Sequence, residues 1–542
     1  MVDKSVFIDE VHTHQSLFAK AKELTHSATK AAGIMLLAAI AALIIANTGA
    51  YESFTELIHT HIGFVIGSTE YTLSIGHVIN DILMAIFFLL VGLEIKYEMT
   101  AGELTNIRQA LLPIVAAFGG VCVPIGIYLA FNFNNPDAVN GWGVPTATDI
   151  AFALGILALL GSRIPSGIRV FLSTLAVADD IIAILVIAIF YGHTPDMMWL
   201  ACAAVVLVAL IVLNRSHVYA LLPYLALGVV LWFCVFMSGV HATIAGVLLA
   251  FTIPTGSHVN LKTFTHWSGE RIQQAHESFK PDEPVVVQKD YMRNVDNLSK
   301  VARQVIPPAT RLERKLYPWV YFAILPLFAL TNADVSMIGA SPQAFFTDTV
   351  LYGVTLGLFV GKPLGIMLFS FMLVKSGLAT LPEHVNWRHM LGASILGGVG
   401  FTMAIFVAGL AYSDPATVVA AKAGILIAST LAGVCGFMVL LREANRDASQ
   451  GVSYLVAVPE NASVQTADRE ACELAEIVAE EAGDEHVVCR LQDASKHDEV
   501  VELVVTLPQN TEESLWELLR MAVKELYSGK AVVPTRKDDS LN

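Results

Sequence analysis

Residues 166–191 read SGIRVFLSTLAVADDIIAILVIAIFY, from Ser166 to Tyr191. The run is long and apolar enough to cross a bilayer as one helix, yet two adjacent carboxylates, Asp179 and Asp180, stand near its midpoint. A single aspartate at that depth costs about 2.5–3.5 kcal/mol on insertion scales. Two side by side also repel, so at least one must hold a proton or meet a cation. Neighbours on a helix point about 100° apart, which lets the two carboxylates face different partners, one a fixed charge and the other a water-filled cavity. The stretch reads as a site that binds and releases a cation.

The surrounding chain has the composition of a polytopic membrane protein, with 55% hydrophobic and 15% charged residues among 542. The formal charge of −15 is concentrated at the end: from Glu443 onward there are 21 acidic against 9 basic residues. Cys122, Cys202, Cys234 and Cys435 lie in apolar runs, and Cys472 and Cys489 lie in the tail without CxxC spacing, so all six read as reduced packing residues. Residues 1–28 are a polar segment without the pattern of a signal peptide, and the first apolar run is expected to stay as an anchor.

Apolar runs place twelve crossings at about 29–48, 76–98, 110–131, 145–160, 166–191, 198–213, 219–238, 240–254, 318–333, 349–374, 389–411 and 416–441. The connections 49–75, 132–144, 192–197, 334–348 and 412–415 contain no Lys or Arg. The alternate ones carry Lys96, Arg108, Arg163, Arg215, Lys375 and Arg388, with ten basic residues in 255–317. By the positive-inside rule both termini are expected in the cytoplasm.

Two crossings read as broken. GWGVPTATD (141–149) opens a short helix, and GGVGFT (397–402) interrupts another at its middle. Glycine and proline at membrane depth free backbone groups that must line a cavity or an ion site. Each segment is the middle of a three-helix unit, and corresponding crossings of the two units are seven apart, an odd number, so the second enters from the opposite side. This predicts an all-α membrane domain with inverted three-helix repeats and two discontinuous helices, the arrangement that marks a midplane transport site. Residues 29–441 form that domain, with 255–317 as a polar cytoplasmic loop. Residues 442–542 read as a small acidic α/β domain of β-α-β-β-α order, followed by a loose end.

Several further residues carry chemistry. Asp149 follows Thr146 and Thr148 at the first break, and a carboxylate, hydroxyls and freed carbonyls are the oxygens a hard cation such as sodium or lithium prefers. The plainer reading of Asp149 is a helix N-cap. Lys362, in LGLFVGKPLGIMLF, is the most deeply placed Lys or Arg of the membrane domain, and a carboxylate of 166–191 is its natural partner. A structural ion pair is the alternative. Lys422 lies near the outer end of the last crossing, where snorkelling accounts for it. Glu94, Lys96 and Glu98 close the second crossing near Glu313, and His241 stands in SGVHATIAG. Glu94, Glu98, Glu313 and His241 are candidates for sensing pH, although charges at helix ends usually mark the water boundary.

The blocks NDILMAIFFLLVGLEIK (80–96), PTATDIAFALGILALLGSRIP (145–165), FLSTLAVADDIIAI (171–184), SGVHATIAGVL (238–248), PWVYFAILPLFAL (318–330), VGKPLGI (360–366) and GGVGFTMAIF (397–406) resemble the NhaA-type bacterial sodium/proton antiporters. The resemblance implies a twelve-helix inverted-repeat fold in which the two broken helices cross. It implies Asp180 as principal ion ligand helped by Asp149, and Asp179 paired with Lys362. It also implies electrogenic exchange activated at alkaline pH, in the inner membrane, with no cofactor beyond the transported ions. The expected partners are membrane lipid and a second copy of the chain, with no nucleic acid, and the tail's partner is open. Tyr97 and Tyr317 depart from the family pattern, standing where known members carry a basic residue and a histidine. The loop 255–317 is longer than usual, and the tail lies outside the common core.

Two other classes compete with a transporter. An intramembrane aspartyl protease also buries aspartates, but it needs them on facing helices to share a proton and a water, whereas Asp179 and Asp180 are adjacent. Asp149 could supply the second carboxylate, and Lys362 and the repeat argue against that reading. The other is an ion or pH sensor that signals through the acidic tail.

Overall fold

The computed structural model describes residues 28–449 except 67–68, 103–104, 106, 137, 193–194, 257–260, 282, 337–347 and 383–384, and beyond them 452–459, 488–491, 500–507 and 535–536. The helices are α1 Ala28–Ala46, α2 Tyr51–His59, α3 Ile75–Thr100, α4 Ile107–Asn132, α5 Ile150–Ala158, α6 Ser166–Phe190, α7 Met197–Arg215 and α8 Leu221–Met237. They continue as α9 Thr243–Thr252, α10 Leu261–Ser278, α11 Lys289–Val305, α12 over 308–332, α13 Thr349–Lys375, α14 Trp387–Gly397, α15 Phe401–Ala411 and α16 Pro415–Ser449. Among the described residues eight helices are long and apolar enough to cross a membrane, or nine if α14 and α15 make one broken span. Helix α9 has ten residues, about 15 Å or half a hydrocarbon core, so a crossing here needs the flanking residues of 240–254 as well.

The connection 49–75 is more structured than its sequence suggested: α2 leads into a hairpin of β1 His61–Ile66 and β2 Thr69–Ser74, with His61 opposite Ser74. In the tail, β3 Val452–Pro459, β4 Val488–Leu491, β5 Val500–Leu507 and β6 Thr535–Arg536 form an antiparallel sheet in the order β4-β5-β3-β6. The two tail helices expected near 467–483 and 513–528 lie outside the described residues. The chain divides into two units. One is built from the chain up to Ile156, Leu172–Thr380 and Gly397–Gly433, and the other from Leu157–Phe171, Leu381–Leu396 and the chain from Val434 on. Within the second, Glu443 accepts from Asn386 Nδ2 at 2.9 Å and lies 3.6 Å from Arg388. Asp149, Asp179, Asp180 and Lys362 all belong to the first.

Helices α4 and α13 approach closely along a stripe of glycines. Gly357, Gly361 and Gly365, spaced by four, face Pro124, Pro145 and Gly119, and a β-carbon at Gly365 would overlap the Gly119 carbonyl. Small residues at that spacing let backbones meet where lipid gives no hydrophobic drive. The helix is also locally widened: Gly357–Gly361 is a π turn, as are Val78–Leu83 in α3 and Val320–Ile324 in α12. Such one-residue bulges re-aim the residues after them, and Lys362 comes directly after the first named. Gly365→Ala is expected to cost about 1–3 kcal/mol through overpacking. Gly126→Ala on α4, with open space at its β-position, should be neutral. Thermal unfolding of the purified proteins in detergent compares the two, and equal midpoints would mean the crossing is not tight.

Candidate ion site at two interrupted helices

The chain from Val139 to Thr146 winds as a 3-10 helix, turns extended at Ala147, stays out of helical winding through Asp149 and resumes as α5. Gly141 and Gly143 are required by contact: a β-carbon on the first would strike Tyr412 and Tyr128, and on the second Tyr191. The second interruption separates α14 from α15. The two unwound segments pair directly, Asp149 N donating to Val399 O at 2.8 Å.

Asp149 serves both breaks. Its Oδ1 accepts from Phe152 N at 3.0 Å, and its Oδ2 accepts from Thr402 N at 3.1 Å and from the Thr402 hydroxyl at 2.5 Å. One carboxylate therefore satisfies orphan N–H groups at the starts of α5 and α15 and faces the positive ends of both helix dipoles. The N-cap reading of Asp149 describes this geometry. Thr402 closes the broken segment GGVGFT without being a candidate from sequence, although its place in the second break mirrors that of Thr148 in the first.

Lys362 closes the other side. Its side chain is 0% exposed and meets Asp179 Oδ2 at 2.6 Å, where Asp179 is 1% exposed. The ammonium has three N–H donors: the others go to Thr146 O at 2.5 Å, the last carbonyl of the 3-10 segment, and to the Thr148 hydroxyl. Thr148 passes its own proton to Asp179 Oδ2 at 2.5 Å, with Gly397 O at 3.1 Å as the second acceptor. The lysine stem crosses Gly120, which leaves room for it. Asp179, Thr148 and Lys362 are thus one hydrogen-bonded unit. Asp180 is separate: it is buried, and its Oδ1, like Asp179 Oδ1, finds no hydrogen-bond partner in the protein. A buried carboxylate oxygen without a donor suits a proton or a desolvated cation.

A cavity of about 280 Å³ lies between Glu94, Glu98, Glu313, Tyr97, Tyr317 and Tyr321 on one side and Ile150, Ala151, Ser173 and Val177 on the other. Ile150 and Val177, which line it, are one and three residues from Asp149 and Asp180 in the chain. The Tyr321 hydroxyl donates to Glu94 Oε1 at 3.4 Å. Glu313 lies outside the crossings, and burial pushes its carboxyl up while the adjacent Arg314 opposes this. The structure therefore brings Glu94, Glu98 and Glu313 together, and Tyr97 and Tyr317 with them. His241 is elsewhere: its Nε2 bonds Tyr191 O at 2.7 Å, and it lines another cavity with Asn80 and Asp81. Two lysines read as water-boundary residues have specific partners instead. Lys96 Nζ donates to Phe251 O at 2.8 Å and to Ile253 O, capping the end of α9, and Lys422 pairs with Asp334 at 2.7 Å.

The Na+/H+ antiporter 1 family matches residues 22–440. A protein of Wolinella succinogenes named Na(+)/H(+) antiporter NhaA is 44% identical over 412 residues, covering 76% of this chain and 90% of its own. Na(+)/H(+) antiporter NhaA 2 of Pseudomonas putida is 42% identical over 423 residues, 77% and 92%. Na(+)/H(+) antiporter NhaA of Helicobacter pylori is 41% identical over 430 residues, 79% and 96%.

Proposed function

We propose, since this chain belongs to the Na+/H+ antiporter 1 family, that it exchanges sodium or lithium for protons across the membrane it spans repeatedly. The observation that carries the mechanism is the buried Lys362–Asp179 pair set beside Asp180, whose Oδ1 has no protein partner. Sodium is substrate here. It binds at Asp180, and Asp149 and Thr148 join as the unwound segments shift. Its positive charge competes with Lys362 for Asp179, so binding the cation favours release of protons from the same cluster. Two carriers of different ions sharing one set of carboxylates cannot both be loaded, which is the chemical basis of exchange.

Further parts of the proposal rest on the sequence. Twelve crossings in inverted repeats, with α8, α9 and α12 counted, place both termini in the cytoplasm of a bacterial inner membrane. Exchange moves net charge and responds to pH through Glu94, Glu98 and Glu313, with His241 acting from a second location. The protein works as a homodimer among lipids, without a cofactor. Residues 442–542 form a regulatory domain outside the exchange unit, a reading supported by the end of the family match at 440.

Everted vesicles carrying the full chain, energised and loaded with a pH-sensitive dye, test this. Added sodium should discharge the proton gradient, and a chain ending at Asp447 should do so with at least half the rate. No sodium-dependent proton movement at any pH would overturn the reading, and loss confined to the shortened chain would make the tail part of the exchanger. A sensor that signals through its tail would move no sodium.

A further inference from the structure

Two residues after α12 ends, Asp334 Oδ1 meets Lys422 Nζ at 2.7 Å. The two side chains belong to parts with different attachments. Asp334 is part of a wall made with α3 and α1: Asn332 Nδ2 donates to Asn80 Oδ1 at 2.9 Å, and Asn47 Nδ2 donates to Val335 O at 2.8 Å. Lys422 is on α16, and seven residues further on, about 10 Å along the helix, the Ser429 hydroxyl accepts from Phe401 N at 3.0 Å. Phe401 precedes Thr402, which holds Asp149. Helix α16 therefore makes contact with the Asn80–Asn332 wall at Lys422 and with the segment that holds Asp149 at Ser429.

The wall made by α3 and α12 differs at its two ends. At the Glu94 end it faces α5 and α6 across the 280 Å³ cavity. At the other end it is shut, first by Phe406 packed against Phe88 and Phe328 with ring centroids 5.7 and 6.2 Å away, and then by the ion pair. Lys422, Asn80 and Asn332 form the partition between two hollows of about 290 and 130 Å³. Parting Lys422 from Asp334 would join the hollows and lead to Phe406. The lysine and aspartate side chains are 13% and 24% exposed, so the pair is partly desolvated, and removing one partner leaves the other charge more costly than at a surface ion pair.

We propose that the Lys422–Asp334 ion pair is a latch on the outer end of the exchange path, whose strength sets the balance between the state open toward Glu94 and the state open toward Asp81. The inference rests on the antiport reading and on the cytoplasmic placement of the Glu94 end. In a two-state exchanger a contact made in one state only biases the population by its own free energy, and the apparent affinity on each face changes in proportion.

Lys422→Gln and Asp334→Asn are each expected to raise the outward-open population about tenfold, the change given by removing roughly 1.4 kcal/mol from one side of the balance. The first readout is the rate at which a membrane-impermeant maleimide, added from outside, labels Leu410→Cys, which lines the smaller hollow. The same chain without that cysteine gives the background. The second is the half-saturating sodium concentration at the inner face, which should rise while maximal exchange persists. The double swap Lys422→Asp with Asp334→Lys should restore both. Unchanged labelling and affinity in the single variants would overturn the latch, as would an inserted swap protein that restores neither. If the single variants fail to insert, the swap decides alone by the same two readouts. Absence of sodium-driven proton flux in the unaltered chain would instead overturn the antiport reading, and the labelling comparison would still judge the latch.

Discussion

Asp180→Asn is expected to insert and fold but to exchange no sodium for protons. The amide keeps the carboxylate's shape and can occupy the same buried space, so α6 should pack as before. It carries no charge and takes up no proton at working pH. A contact to a full charge is worth about 1.5–3 kcal/mol, so sodium binding weakens between roughly tenfold and a hundredfold. On the proposed mechanism the proton limb of the cycle is lost as well, because an amide at this position does not titrate. Asp179→Asn should abolish exchange too, by a different route: it leaves the Lys362 ammonium with Thr146 O and the Thr148 hydroxyl but no counter-charge. Proton flux in vesicles at saturating sodium checks both, with insertion verified by yield and unfolding midpoint. Wild-type flux from either variant would remove that carboxylate from the mechanism.

Lys362→Arg separates a proton carrier from a structural brace. If sodium entry breaks the Lys362–Asp179 pair, the freed ammonium is left buried, and a lysine in that position can give up its proton. Arginine keeps the charge but holds its proton at any working pH, since its pKa lies above about 12. Its planar fork must also fit a cage that three oxygens and Gly120 shape around a compact ammonium. The variant is therefore expected to stop, or to exchange without moving net charge. Sodium-driven current on a solid-supported membrane, recorded beside proton flux from the same preparation, makes the comparison. Wild-type current per proton in the arginine variant would reduce Lys362 to a brace and leave the aspartates as the proton carriers.

The parts of the site that were legible in the sequence are those where a physical rule is broken at a visible cost. Two aspartates and a lysine inside apolar runs, and glycine and proline at membrane depth, stand out because the bilayer penalises them. Thr402 and Ser429 do not stand out, because hydroxyls are common in crossings and their importance comes from what lies opposite. Only the fold brings Thr402 to Asp149, 253 residues away, or Ser429 to Phe401. Lys422 reads as an interface residue for the same reason: Asp334 falls in a connection without Lys or Arg, and nothing local links them across 88 residues. The hairpin His61–Ile66 with Thr69–Ser74 does leave a signal, an alternating pattern around Gly67 and Ser68, which a search for crossings does not register. The glycines at 357, 361 and 365 are equally visible as a four-residue stripe.

The π turn at Gly357–Gly361 gives this chain an unusual relation to insertions and deletions. A π turn holds one residue more than the α-helix it interrupts. Losing a single residue there would return α13 to regular winding and mend its hydrogen-bond ladder, an improvement by any local measure of helix quality. Because the turn absorbs that residue as its own excess, the windings on either side would keep nearly the same facing, Gly357 toward Pro145 and Lys362 toward Asp179. The same loss from the regular winding beyond Lys362 would instead rotate everything after it by about 100°, so the wide turn is the place in α13 where a change of length disturbs the facing least.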